Sequence, residues 1–280
     1  MECFTYEKIS DSIIRIRDIT KTAIYLILGT KKACLIDTGT GIGNLREYVE
    51  SLTDLPYDVI LTHGHVDHAS AATLFEDKAI YMHPLDRDLM KEHTKWGMRR
   101  AYAKHAKFCN EISDRELVPL YEPSKTIPLS DGQRFDLGNL SLEIIHTPGH
   151  TQGMCMVLVE EERKIIFGDG CGVSVMLLDQ YATTVETYLT TLLKVKNYEA
   201  RYDKVLRNHG TCESEKDVLD NVIKCCKDVL NQCDAHMKAS GLAFDYDDAY
   251  FARERDLNTR KRVDGKEGNL VYRPTKIYND

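Results

Sequence analysis

The first half of the chain alternates short apolar runs with charged turns. Ile13–Ile16, Ala23–Leu28 and Ala33–Ile36 are β-branched or apolar and are separated by charge and by Gly29, which predicts three consecutive strands. Asp37-Thr38-Gly39 and Gly41-Ile42-Gly43 form a glycine-rich turn, and Leu45, Tyr48, Val49 and Leu52 then recur on one helical face. Asp58–Leu61 reads as a strand, Ala69–Phe75 as a short helix and Ala79–Met82 as a further strand. Strands alternating with helices predict a mixed α/β layer architecture.

The pattern changes between Pro84 and Pro119. Asp86–Lys107 reads as one helix, with Leu89, Trp96 and Ala103 at seven-residue spacing and seven Lys/Arg against three Asp/Glu. Strands are expected at Leu140–His146, Met154–Val159, Lys164–Phe167 and Lys204–Leu206, with a helix at Val185–Lys196. Glu215–Lys238 carries the clearest helical stripe, from Val218 and Leu219 to Cys233 and Met237, with Ser214 as its expected N-cap and Gly241 as its C-cap. Residues 242–280 are polar, include an expected Asp264-Gly265 turn, and contain the run Arg260-Lys261-Arg262, which reads as a solvated surface. The organisation expected is a domain over 1–241 with a helical insertion at 84–119, followed by a C-terminal extension over 242–280.

Composition narrows the classes. The 280 residues carry 37 basic against 44 acidic side chains, a formal charge of −7, so no nucleic acid and no anionic membrane is expected as a partner. No apolar run approaches the roughly 18–20 residues of a membrane span, and the first ten residues lack a leader pattern. Nine cysteines without a CxxC pair suggest a reducing, cytoplasmic setting. A small-molecule substrate is the expected partner, with a homodimer contact left open at the 84–119 insertion.

The chemistry is concentrated in Thr62-His63-Gly64-His65-Val66-Asp67-His68, which follows an apolar strand and precedes a helix. In an extended segment the two-residue period sends His63, His65 and Asp67 to one side, and the first turn of the helix can return His68. Imidazole and carboxylate suit zinc, iron or manganese. Three further ligand types stand where other strands end, each beside a glycine: His150 in Thr147-Pro148-Gly149-His150-Thr151, Asp169 after Gly168, and His209 before Gly210. His146, one position inside its strand, reads as structural.

HxHxDH, TPGHT, GD and HG in this order resemble the metallo-β-lactamase superfamily of metallohydrolases, over about residues 10–215. The resemblance implies a four-layer αββα sandwich with a two-metal site at one edge. It would give His63, His65 and His150 to one ion, Asp67, His68 and His209 to the other, and Asp169 to both. Asp37 would orient a ligand, although an Asp that merely stabilises its turn reads equally well. Two divalent ions, zinc first with iron or manganese as substitutes, would generate a bridging hydroxide near neutral pH. Asp67 would also act in catalysis, orienting the nucleophile or moving its proton.

Asp67-His68 together resemble the glyoxalase II and lactonase branches, whereas β-lactam-cleaving branches usually lack one of the pair or substitute cysteine elsewhere. The glutathione-contacting pattern of glyoxalase II does not follow Asp169. The reading is a binuclear hydrolase of a small ester-like acyl substrate, a thioester or lactone. The alternative is a mononuclear iron sulfur-oxygenase similar to persulfide dioxygenases, and a third is a metal-binding scaffold without turnover. For the substrate, Arg99, Arg100 or Lys104 would meet an anionic group, Trp96 would form an apolar wall and Tyr181 would donate to a carbonyl.

Overall fold

A computed structural model describes residues 3–105, 117–240 and 246–279. The first sheet runs in the order β1 (Phe4–Lys8), β2 (Ile13–Asp18), β3 (Ala23–Leu28), β4 (Ala33–Ile36), β5 (Tyr57–Ile60), β6 (Ile80–Met82) and β7 (Ile127–Pro128). The second contains β8 (Arg134–Asp136), β9 (Ser141–His146), β10 (Cys155–Val159), β11 (Lys164–Gly168), β13 (Lys204–Arg207) and β14 (Glu213–Ser214), in the order β14-β13-β11-β10-β9-β8. A small third sheet joins β12 (Val175–Leu177), β17 (Leu270–Tyr272), β16 (Tyr250–Phe251) and β15 (Met237–Lys238).

Strand alternation builds the layers. Tyr25 and Ile27 of β3, Cys34 and Ile36 of β4, Leu142 and Ile144 of β9, and Cys155 and Val157 of β10 share one core between the two large sheets. Their alternates point the other way. Ile24, Leu26 and Leu35 pack under α1 (Leu45–Glu50) and the turns around Ala69–Phe75. Ile145, Met156 and Leu158 pack under α5 (Val185–Lys196) and α6 (Asp217–Leu230). Three cores between four layers make the αββα sandwich that the family resemblance implied. Fully burying each such aliphatic side chain contributes about 1.5–3 kcal/mol.

Helix boundaries depart from expectation in three places. In place of a helix over Ala69–Phe75, one helical turn ends at Ala69 and a 3-10 turn follows over Ala72–Phe75. Asp86–Lys107 is broken: α3 (Arg87–His93) ends at Thr94, whose hydroxyl donates to the Met90 carbonyl, and α4 (Trp96–His105) begins afresh. Lys107 lies outside the described residues. Likewise α6 stops at Leu230 because the chain turns through Asn231 and Gln232, the latter at φ 55°, and Met237–Lys238 becomes a strand. Ser214 belongs to β14 rather than capping α6, and Gly241 is outside the described residues.

Directions matter for the site. β4 and β5 are parallel, β11 and β13 are parallel, and β9 runs with them through the antiparallel β10. The loops that follow β5, β9, β11 and β13 therefore emerge at strand C-terminal ends along one edge of the sandwich, the usual place for an α/β site. Among the described residues, no helix is long and apolar enough to cross a membrane, and no disulfide joins the described cysteines.

Candidate metal centre

The His63–His68 segment leaves β5 and enters α2 (Val66–Ala69), a single helical turn. Gly64 is required by close approach: a Cβ there would lie 2.7 Å from the Asp86 carbonyl oxygen and 2.9 Å from the Met90 nitrogen. Asp169 is aimed by a register shift between Ile166 and Gly168 in the β11–β13 ladder, with Gly168 at φ +58°.

These loops bring the seven sequence-singled ligand types together. His63, His65 and His150 form one group, His63, His68 and Asp169 a second, and Asp67, His68 and His209 a third, each with ligand atoms within 4.8 Å of one another. Asp169 Oδ2 lies 3.1 Å from His209 Nε2, 3.6 Å from His68 Nε2 and 3.8 Å from His150 Nε2. It thus stands between the trios. Asp67 Oδ2 lies 3.3 Å from His209 Nε2 and 3.6 Å from His68 Nε2.

A surrounding layer of acceptors fixes the imidazoles. His68 Nδ1 donates to Asp37 Oδ2 at 2.8 Å and His150 Nδ1 to the Met176 carbonyl at 2.8 Å. The Thr62 hydroxyl donates to Asp37, so His63 Nδ1, 3.0 Å away, donates to the Thr62 oxygen. All three rings consequently carry hydrogen on Nδ1 and direct Nε2 inward. His63 Nε2 and His68 Nε2 are buried without a hydrogen-bond partner. A buried polar atom left unpaired costs about 1–3 kcal/mol, and two such nitrogens facing carboxylates fit a cation.

Electrostatics agree. Burial, then the neighbouring His68 and His65, holds His63 well below the usual imidazole range, so it is a neutral ligand. Burial likewise lowers His65 to about 4. Burial opposes the charge on His68 and His209 too, but the carboxylates of Asp67 and Asp169 outweigh it and push both up. Two acids thus draw in protons wherever no other cation is held.

The substrate-side expectations fare differently. Arg99 is fully buried; its Nε donates to the Thr94 carbonyl at 2.7 Å and Nη1 to the Val118 carbonyl at 2.7 Å. It ties the insertion together and cannot meet a substrate. Arg100 is exposed and Trp96 is 46% exposed, and neither lines the cavity beside the His/Asp cluster. Tyr181 donates to Glu92 and is also absent from the cavity wall.

The wall of that 590 Å³ cavity instead takes Met98, Tyr102 and His105 from α4, together with His93 and Asp179. The α4 spacing of i, i+4 and i+7 was the available signal; the arginines chosen sit on another face. The Tyr102 hydroxyl donates to Asp67 Oδ2 at 2.6 Å. Burial and then the Asp67 charge push its phenol well up, so the hydroxyl keeps its proton. His93 stacks on His65 with centroids 5.0 Å apart, and Asp179 Oδ2 lies 3.6 Å from His65 Nε2.

The chain is 30% identical over 141 residues to an uncharacterized protein of Aquifex aeolicus, covering 49% of this chain and 59% of that one. It is 25% identical over 199 residues to the human acyl-coenzyme A thioesterase MBLAC2, covering 60% of this chain and 66% of that one. The matches thus span about 60% of the length of the curated relatives. Among solved structures, TTHA1623 in a di-iron-bound form superposes with a TM-score of 0.53 at 24% identity, covering 70% of this chain and 90% of that one. The metallo-beta-lactamase superfamily family model matches residues 18–202, and the chain belongs to that superfamily.

Proposed function

We propose that this chain is a metal-dependent hydrolase that holds two divalent ions and cleaves a small thioester, with a lactone as the related substrate. The observation that supports it is the position of Asp169, whose Oδ2 lies within 3.8 Å of imidazole nitrogens from both trios. His63, His65 and His150 would hold one ion, Asp67, His68 and His209 the other, and Asp169 would serve both. Two such ions supply a water with its pKa lowered toward about 7 and polarise the scissile carbonyl.

The chain's own residues do the rest. Asp37, Thr62 and the Met176 carbonyl hold three imidazoles in the tautomer that presents Nε2. Tyr102 holds a proton at its hydroxyl against Asp67 Oδ2, which keeps that carboxylate aimed and gives it a donor beside the reacting centre. Met98, Leu178 and Val271 supply an apolar wall suited to an acyl chain. The name of the human relative, an acyl-coenzyme A thioesterase, favours a thioester among acyl substrates, and the di-iron form of a structural relative is consistent with two ions of iron.

The test is release of free thiol from a panel of thioesters, run beside a lactone panel, with metal-loaded and chelator-treated protein. Turnover that chelation abolishes and metal restores is expected. No turnover of any thioester or lactone by loaded protein would overturn the reading.

A further inference from the structure

Three arginines line the cavity beside the His/Asp cluster: Arg207, Arg255 and Arg260. Arg207 is fully engaged. Its Nε donates to Ser214, Nη1 to the His209 carbonyl, and Nη2 to Thr211 and to the Glu213 carbonyl. Its work is to shape the loop that carries His209.

Arg255 and Arg260 differ. Arg255 Nε donates to the Arg260 carbonyl at 3.0 Å, and its guanidinium lies over the Phe251 ring, 5.0 Å from the centroid. Those contacts orient the half-buried fork and leave both of its Nη groups without a partner among the described residues. Burial, then the charge of Arg260, pushes the Arg255 guanidinium down from its usual range, and no carboxylate offsets them. The nearby Asp256 is spent on the backbone nitrogens of Asn258 and Thr259, and Arg262 takes Asp264. Among the described residues neither guanidinium is paired with a carboxylate, an arrangement that a bound anion would complete.

We infer that Arg255 and Arg260 form a subsite for an anionic group, phosphate or carboxylate, on the thiol half of the substrate. The inference rests on reading this cavity as a thioester site. The scissile carbonyl must reach the His/Asp cluster, and the apolar wall of Met98, Leu178 and Val271 suits the acyl half. The thiol half is then the part left to meet the arginines. Arginine is apt because its planar fork binds phosphate or carboxylate through two parallel hydrogen bonds.

Binding without turnover tests it. Metal-loaded wild type, Arg260→Gln and the Arg255→Gln/Arg260→Gln double variant are titrated calorimetrically with desulfo-coenzyme A, for phosphate, and S-methylglutathione, for carboxylate. Neither probe has a thiol to take up metal. One of the two should bind wild type, with Kd rising at least tenfold in the double variant and about threefold in Arg260→Gln, whose exposed side chain makes misfolding no explanation. Failure of both probes to bind, or equal affinity in all three proteins, would overturn the subsite. Binding lost with the arginines in a protein that hydrolyses neither a thioester nor a lactone would leave the anion subsite standing and overturn the hydrolase. Hydrolysis of neutral N-acetylcysteamine thioesters at the same kcat/KM as anionic ones would overturn the subsite alone.

Discussion

Asp37 and His68 meet at 2.8 Å through Oδ2 and Nδ1, both side chains fully buried. The same carboxylate accepts from the Thr62 amide at 2.7 Å and from the Asn208 side chain at 3.1 Å. One acid at the end of β4 therefore holds the imidazole of His68 and the loops that follow β5 and β13. Asp37→Asn should leave the fold intact yet allow the wrong His68 tautomer. Metal affinity is expected to fall about 10–100-fold, measured by competition with a chromophoric chelator. Unchanged affinity would reduce Asp37 to a turn-stabilising residue.

Asp86 joins the loops that follow β5 and β9. Its carboxylate accepts from the Gly64 amide at 3.0 Å, the Thr151 hydroxyl at 2.7 Å and the Gly153 amide at 2.7 Å. Asp86→Ala would leave three buried donors unpaired, offset in part by removing a buried acid, for a net loss of about 3 kcal/mol. That corresponds to a fall of roughly 6–12 °C in Tm for a chain of this size. A melting point within about 2 °C of wild type would show that water or rearranged loops replace the carboxylate.

Tyr102→Phe keeps the ring and deletes the donor to Asp67. Metal content should stay at the wild-type level while kcat falls about 10–100-fold, the worth of one hydrogen bond to a charged group. Trp96→Ala and Arg100→Ala, both outside the cavity wall, should change kcat less than twofold. An equal effect in all three variants would contradict the placement of Tyr102.

His83 stacks on His146 with centroids 3.9 Å apart and planes 6° from parallel. Burial, then His146, lowers its pKa to about 4, with Asp131 the opposing charge. The unfolded imidazole titrates near 6.5. Between about pH 6.5 and 4 the unfolded chain binds a proton that the folded chain does not, so stability falls as pH falls through that window. His83→Phe should show a shallower decline of the urea midpoint across it. Parallel declines in both proteins would remove His83 from the acid sensitivity.

What could be read from the sequence was local. HxHxDH needs only one strand end and one helical turn to assemble, and each of the other ligands sits beside a glycine at a strand terminus. Strand alternation and helical stripes made the mixed α/β layers legible because they report the core directly, whereas the αββα order came from the resemblance carried by the four ligand motifs. Asp86 was not legible, because its three partners lie 22 to 67 residues away and no pattern marks them. Arg99 misled for a related reason. Its charge suggested an anionic substrate group, but its guanidinium satisfies the Thr94 carbonyl at the break after α3 and the Val118 carbonyl at the end of the insertion. The Arg260-Lys261-Arg262 run is the same lesson inverted: Arg260 lines the cavity, and the Arg262 side chain is only 6% exposed beside Asp264.

The central claim is a two-ion site shared through Asp169, and metal content per chain tests it most directly. Elemental mass spectrometry on protein purified without chelator should find about two divalent ions per chain in wild type, and about one or fewer in Asp169→Asn. About one iron per chain with no second metal, unchanged by Asp169→Asn, would contradict the binuclear hydrolase and point to a mononuclear iron oxygenase.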